Sequence, residues 1–171
     1  LHFTYFSAAR GTKGDRWASV YRIHPGPPHR FVARCHRDDR LKWFRLDNVI
    51  RVLPSGDEPF RPQRTASEVE EFAGASVDGF HGDEPPRECR IVLRYPEARW
   101  AQKTVPGAAE VAEMAEGVVV TLRSAGLLPL ARWVVGLGAI ARVESPPDLR
   151  VLARLIAAEA VAALAADLPD R

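Results

Sequence analysis

Five short β-prone segments crowd into the first 53 residues, and that density limits the fold more than any other feature of the chain. His2–Ser7 alternates, with Phe3 and Tyr5 on one face. Residues 16–24 carry Trp17, Val20, Tyr21 and Ile23, and residues 30–36, 41–46 and 49–53 follow in the same style. The breaks between them are explicit: a polar turn over 9–15, then Pro25-Gly26-Pro27-Pro28, then the hairpin turn Arg37-Asp38-Asp39-Arg40. No central strand or helix accommodates the proline cluster. Strands this short bury little as an open sheet, so the expectation is closure into a small barrel, which removes the exposed edges.

Beyond Leu53 the pattern changes. Pro54-Ser55-Gly56-Asp57 reads as a turn, and Thr65-Ala66-Ser67-Glu68 has capping-box spacing for a short helix carrying Val69 and Phe72 on one face. Residues 73–88 are rich in Gly, Asp and Pro and mark a boundary. After it, a strand is expected over 89–95, one or two helical turns over 96–103, and a strand pair at 110–114 and 117–123. A helix follows with Leu130, Trp133, Val134 and Leu137 in step and Gly138 ending it. A last strand is expected at 139–143. Ser145 then serves as N-cap of a final helix whose inner stripe is Leu149, Leu152, Ile156, Ala160 and Ala163. The order β-α-β-β-α-β suits a ferredoxin-like sandwich.

A length of 171 residues allows one large domain or two small ones, and charge separates the chain in the same place. Residues 1–53 hold eleven Lys/Arg against four Asp/Glu, a net of +7, while the rest holds thirteen against eighteen, a net of −5. The split suggests two modules, the first meeting an anion such as nucleic acid or a phosphorylated ligand, with a merely solvated basic face as the alternative. No apolar run is long enough to span a bilayer, and the start lacks the layout of a signal peptide. Cys35 and Cys89 are too few and too far apart for a disulfide framework, so reduced thiols in the cytoplasm are expected. A chain that opens at Leu1 directly in a strand suggests a portion of something longer.

Catalytic chemistry finds little support. Cys35 and His36 are adjacent in a strand and point to opposite faces, so they cannot share a proton. His24, His29 and His36 lack metal-ligand spacing, no pair of acids is placed for general acid/base work, and no phosphate loop is present. The expectation is no enzyme, no metal and no cofactor. What remains is a basic set interleaved with aromatics. Arg30, Arg34 and His36 alternate on one face of the third strand, Arg22 and His24 share a face of the second, and Arg45 sits with Trp43 on the fourth. Guanidinium forks suit phosphate oxygens, and Tyr21 or Trp43 can stack on a base. The alternative is that the aromatics are core and the arginines only solvate the exterior.

These segments resemble the WYL domain. Phe3-Thr4-Tyr5, Tyr21-Arg22-Ile23-His24-Pro25 and residues 30–36 follow its first three strands. Lys42-Trp43-Phe44-Arg45-Leu46-Asp47-Asn48-Val49 follows its Arg-x-Phe-Arg-Leu-Asp-Arg-Ile signature. Downstream, residues 130–138, with Trp133, Gly136 and Gly138, and residues 141–149, with Pro146 and Leu149, resemble the extension that follows WYL domains. Two positions depart: the naming Trp-Tyr-Leu stands here as Arg30-Phe31-Val32, and the Arg after Asp47 is Asn48. The resemblance implies an α+β protein, a small Sm/SH3-like five-stranded β-barrel followed by a ferredoxin-like α/β extension. It implies a WYL domain over 1–54, a linker with a short helix over 55–88, and the extension over 89–171.

By function, the resemblance implies the sensing region of a bacterial transcription regulator. Single-stranded nucleic acid or a nucleotide is the ligand class, a homodimer is the assembly, and the DNA-binding domain lies outside these residues. Matched by motif, Tyr21, Arg22, His24, Arg34, His36, Lys42 and Arg45 are the candidate ligand contacts. The competing expectation is a structural dimerisation module with no ligand.

Overall fold

The computed structural model of the protein describes residues 1–8, 10–56, 63–107 and 109–166. Ala9 of the first expected turn, Asp57 of the second, the 57–62 part of the expected linker, Ala108, and 167–171 of the extension lie outside the described residues. The chain divides into two compact units, Leu1–Ala73 and Gly74–Arg171.

In the first unit, β1 (His2–Ser7), β2 (Thr12–His24), β3 (Arg30–Cys35), β4 (Arg40–Arg45) and β5 (Val49–Leu53) form one antiparallel sheet in the order β4-β3-β2-β1-β5. The second strand starts four residues earlier than its composition suggests, because Thr12–Asp15 pair with Thr4–Ser7 in a hairpin. Its first half pairs with β1 and its second half with β3, and a register shift between Val20 and Arg22 leaves Tyr21 out of the ladder. A bulge of this kind bends the strand. The bend is large: Phe3 on β1 and Phe44 on β4 lie three strands apart, about 14 Å in a flat sheet, yet their ring centroids are 5.4 Å apart. Phe31 stacks on Phe44 at 5.2 Å, and Ala18, Ala33 and Cys35 complete this buried inner face.

The expected closed barrel does not form. No ladder joins β4 to β5, so the sheet curls but stays open. A 3-10 turn over Leu46–Asn48 separates the two strands, and the Tyr5 hydroxyl accepts from Arg45 N at 3.2 Å and Asn48 Nδ2 at 3.4 Å.

The helix expected inside the 55–88 linker is α1 (Ala66–Gly74), and all but its last residue belong to the first unit. Its capping box is complete: Thr65 N donates to Glu68 Oε2 at 2.7 Å, and Glu68 N donates back to Thr65 Oγ1 at 3.2 Å.

The second unit packs helices on one face of an antiparallel sheet. Its strands are β6 (Arg87–Arg94), β7 (Glu110–Met114), β8 (Gly117–Ser124) and β9 (Ala141–Ser145), in the order β7-β8-β6-β9. The helices are α2 (Ala98–Ala101), α3 (Leu127–Leu137) and α4 (Pro147–Ala166). The β-α-β-β-α-β order expected here is the order observed through β9, with the first helix reduced to one turn. Period-two alternation puts Cys89, Ile91 and Leu93 of β6 with Val118, Val120 and Leu122 of β8 in the core, beneath Leu130 and Ala131 of α3 and Leu149 of α4. Gly138 ends α3 at φ 63°, a conformation glycine adopts without a Cβ clash.

Two expectations for the C-terminus change. Ser145 does not cap the last helix: it pairs with Arg90 in β9, and the helix starts at Pro147. The last strand accordingly runs over Ala141–Ser145, after a 3-10 turn at Gly138–Ile140. The inner stripe of α4 is buried or half-buried at Leu149, Leu152 and Ile156, but Ala160 and Ala163 are exposed. Length explains this, since twenty helical residues reach about 30 Å and the eleven of its partner α3 only about 16 Å.

Candidate functional site

Register sorts the basic residues by face. Three cross-strand rows lie on the outer face of β2, β3 and β4: Ser19–Arg34–Leu41, Arg22–Val32–Trp43 and His24–Arg30–Arg45. Arg22, His24, Arg34 and Arg45 therefore share one face. Lys42 does not: it is in register with Ala33 and Val20, the row of the inner face. His36 follows the end of β3, with Nε2 2.9 Å from Ser19 Oγ. Tyr21, displaced by the bulge, accepts a hydrogen bond from Gln63 N at 3.3 Å.

One part of the outer face is covered. The Phe72 ring of α1 lies 6.4 Å from that of Trp43, Glu70 of α1 bonds Arg22, and Val32 between these contacts is fully buried. Trp43 is half-buried, and its Nε1 is shielded from solvent with no hydrogen bond among the described residues. The adjacent row is open, with His24 and Arg45 exposed and Arg30 half-buried. The His24 imidazole stands edge-on to Trp43 at 6.3 Å.

Acids meet four of the candidates. Arg22 Nη1 reaches Glu70 at 2.6 Å, Arg45 Nη2 reaches Asp47 at 2.7 Å, and Arg34 and Lys42 pair with Asp39 and Asp38. The Arg45 guanidinium holds the Asp47 carboxyl below its ordinary range. Burial pushes the Asp38 carboxyl up, but hydrogen bonding and charge from Lys42 outweigh it and leave it lowered.

Exposure separates these pairs. The Arg34 side chain is 7% exposed, and Asp39 also meets Arg64, whose Nη2 donates to the Asp39 carbonyl at 3.0 Å. Asp39 itself is 59% exposed, so only the Arg34 end of this pair is withdrawn from water. The Arg22 and Arg45 pairs are about half exposed and screened by water, so an incoming anion can exchange with their carboxylates.

Two features escaped the sequence. Arg30 lies at the centre of the open row, though its place between His24 and Arg45 follows only from the register. Glu70 and Phe72 arrive from a helix whose start was legible but whose landing place was not. Of the thiols, both are buried, and burial pushes Cys89 to about 11, which makes it inert near neutral pH. Among the described residues no group of three His, Cys, Asp or Glu is placed to hold a metal, and no helix is long and apolar enough to cross a membrane.

Comparison with known proteins gives one family. Residues 85–161 match the WCX domain. No curated protein matches the sequence. Among solved structures, the chain is similar to proteasome accessory factor B/C (PafBC) of Arthrobacter aurescens, with 17% identity and a TM-score of 0.33 over 89% of this chain. The chain spans 23% of that protein's length.

Proposed function

We propose, from the match of residues 85–161 to the WCX domain, that the chain is the effector-sensing region of a bacterial transcription regulator. In this reading the curled first unit is the WYL module, an Sm/SH3-like barrel left open between β4 and β5, and the second unit is its ferredoxin-like extension. The outer face of the first unit binds a phosphate-bearing ligand, single-stranded nucleic acid or a nucleotide. A DNA-binding domain outside these residues and a homodimeric assembly complete the regulator, and no catalysis is involved.

The row His24–Arg30–Arg45 carries the reading. Directly opposed side chains on neighbouring strands stand about 4.5–5.5 Å apart at Cβ, and like charges in that relation destabilise a sheet. An anion placed between the two guanidinium groups accepts hydrogen bonds from both. Trp43 beside the row adds an aromatic surface of the kind that single-stranded ligands use. Arg22 joins the row when Glu70 gives way, whereas Arg34, His36 and Lys42 support the fold around it.

Fluorescence polarisation with a labelled oligothymidylate tests the proposal. Binding is expected to weaken steeply with salt, and Arg30→Ala/Arg45→Ala to flatten the dependence of log K on log salt by about 1.4, or 0.7 per lost phosphate contact. A clean dimer that binds neither oligonucleotide nor nucleotide points instead to a structural dimerisation module. The acids already bonded to Arg22, Arg34, Lys42 and Arg45 favour that second reading.

A further inference from the structure

A groove in the second unit stands apart from the basic sheet face. It runs between the C-terminal end of α3, strand β9 and the first half of α4, and its volume is about 660 Å³. That lies within the roughly 300–1,000 Å³ of small-molecule sites. Its floor is apolar, with Val134, Val143 and Ala153 buried and Ala157 half-buried.

The charges around that floor do not balance. Arg142, Arg150 and Arg154 line the groove against a single acid, Glu144. That acid is already shared, with Arg142 Nη2 at 3.2 Å and Arg90 Nε at 3.5 Å from its oxygens. Arg150 Nη2 donates to the Glu144 backbone carbonyl at 2.8 Å. Arg154 has no hydrogen bond or ion pair among the described residues.

Arginine stems laid over an apolar groove are often no more than solvation. Here the spacing argues otherwise. Arg150 and Arg154 stand one turn apart, where like charges disfavour a helix. Neither acid of the helix, Asp148 or Glu159, sits three or four residues from either arginine to relieve them. Two cations without an acid of their own helix to offset them, beside an apolar floor, form the arrangement that an anion with an apolar body completes.

We propose that this groove binds a small organic anion. Its aromatic or acyl body lies on Val134, Val143 and Ala153, and its carboxylate or phosphate is held by Arg150 and Arg154. The site lies wholly within the WCX region and does not depend on what the sheet face of the first unit binds.

Two dyes with one aromatic body test it on the full chain. 8-Anilino-1-naphthalenesulfonate carries a sulfonate that N-phenyl-1-naphthylamine lacks. Fluorescence titration is expected to show the sulfonate dye binding about ten- to a hundredfold tighter, the range for hydrogen bonds to a charged group. Arg150→Ala/Arg154→Ala brings the sulfonate dye down to the affinity of the neutral one. Ala157→Phe, which fills the groove without changing charge, removes saturable binding of both. Leu164→Ser, at an exposed position further along α4, leaves both unchanged. If Ala157→Phe fails to fold, Arg154→Glu at the exposed rim carries the test through the same drop in sulfonate affinity. Equal affinity for the two dyes, absence of saturable binding, or insensitivity to the arginine substitutions overturns the proposal.

Discussion

Replacing Glu70 with Gln isolates the contact that most directly opposes anion binding on the first unit. Glu70 accepts two hydrogen bonds from Arg22 Nη1, at 2.6 and 2.7 Å, with the two side chains 66% and 46% exposed. A pair that wet contributes about 0–1 kcal/mol, so the variant keeps its fold and its melting temperature moves little. What changes is the charge available to a ligand. Freeing one guanidinium adds one phosphate contact, which steepens the salt dependence for a single strand by about 0.7 and raises affinity about fivefold at 0.1 M salt. Polarisation titrations with labelled oligothymidylate over about 50–400 mM NaCl, spanning the range where such slopes are resolved, read both quantities. The gain disappears in Arg22→Ala/Glu70→Gln, because the gain resides in Arg22. A folded Glu70→Gln protein with unchanged slope and affinity refutes the assignment of Arg22 to the ligand face.

Other outcomes follow from the packing. Phe44→Ala removes the ring that touches Phe3, Tyr5 and Phe31, and urea unfolding of the first unit should report a loss of about 3–5 kcal/mol. At Gly117 a Cβ meets the Leu93 carbonyl oxygen at 1.9 Å, so Gly117→Ala forces the β6–β8 ladder apart and should destabilise the second unit by about 1–3 kcal/mol in the same assay. The backbone N–H of Thr65, and after it the Thr65 hydroxyl, hold the Glu68 carboxyl below its ordinary value, so the stabilisation they give is complete above that ordinary value and fades as pH falls through the depressed one. Carbon-13 titration should place the midpoint of Glu68 below 4.5, and Thr65→Ala should move it up. Cys89, raised to about 11 and buried, should resist a thiol reagent such as Ellman's at pH 8 until the protein is unfolded by urea.

Much of the fold was readable because its signals are local. Alternation marked Phe3 and Tyr5 as one face of a strand, composition marked a strand over 89–95, and the Thr65/Glu68 spacing announced a cap whose two bonds both form. The same period of two placed Arg22 with His24 and Arg30 with Arg34, since parity along a strand leaves no freedom about which residues share a face. Where a competing interaction was long-range, the local reading failed. Ser145 carries the sequence marks of a helix cap but is claimed by its ladder partner Arg90, 55 residues earlier. Ala160 and Ala163 keep the helical stripe but have outrun the helix they were to cover.

Composition and periodicity alone determined that a strand-rich stretch precedes one that mixes strands and helices, which side chains share a face within a strand, and that cations gather in the first third of the chain. Tertiary structure decided what becomes of those cations. Arg34 is buried and meets Asp39, Glu70 arrives from 48 residues away to hold Arg22, and the register alone assembles His24, Arg30 and Arg45 into one row. The reason is range. Backbone parity is imposed by neighbouring residues, whereas the energy of a charge depends on which distant groups the fold brings within a few ångströms and on how much water it leaves between them.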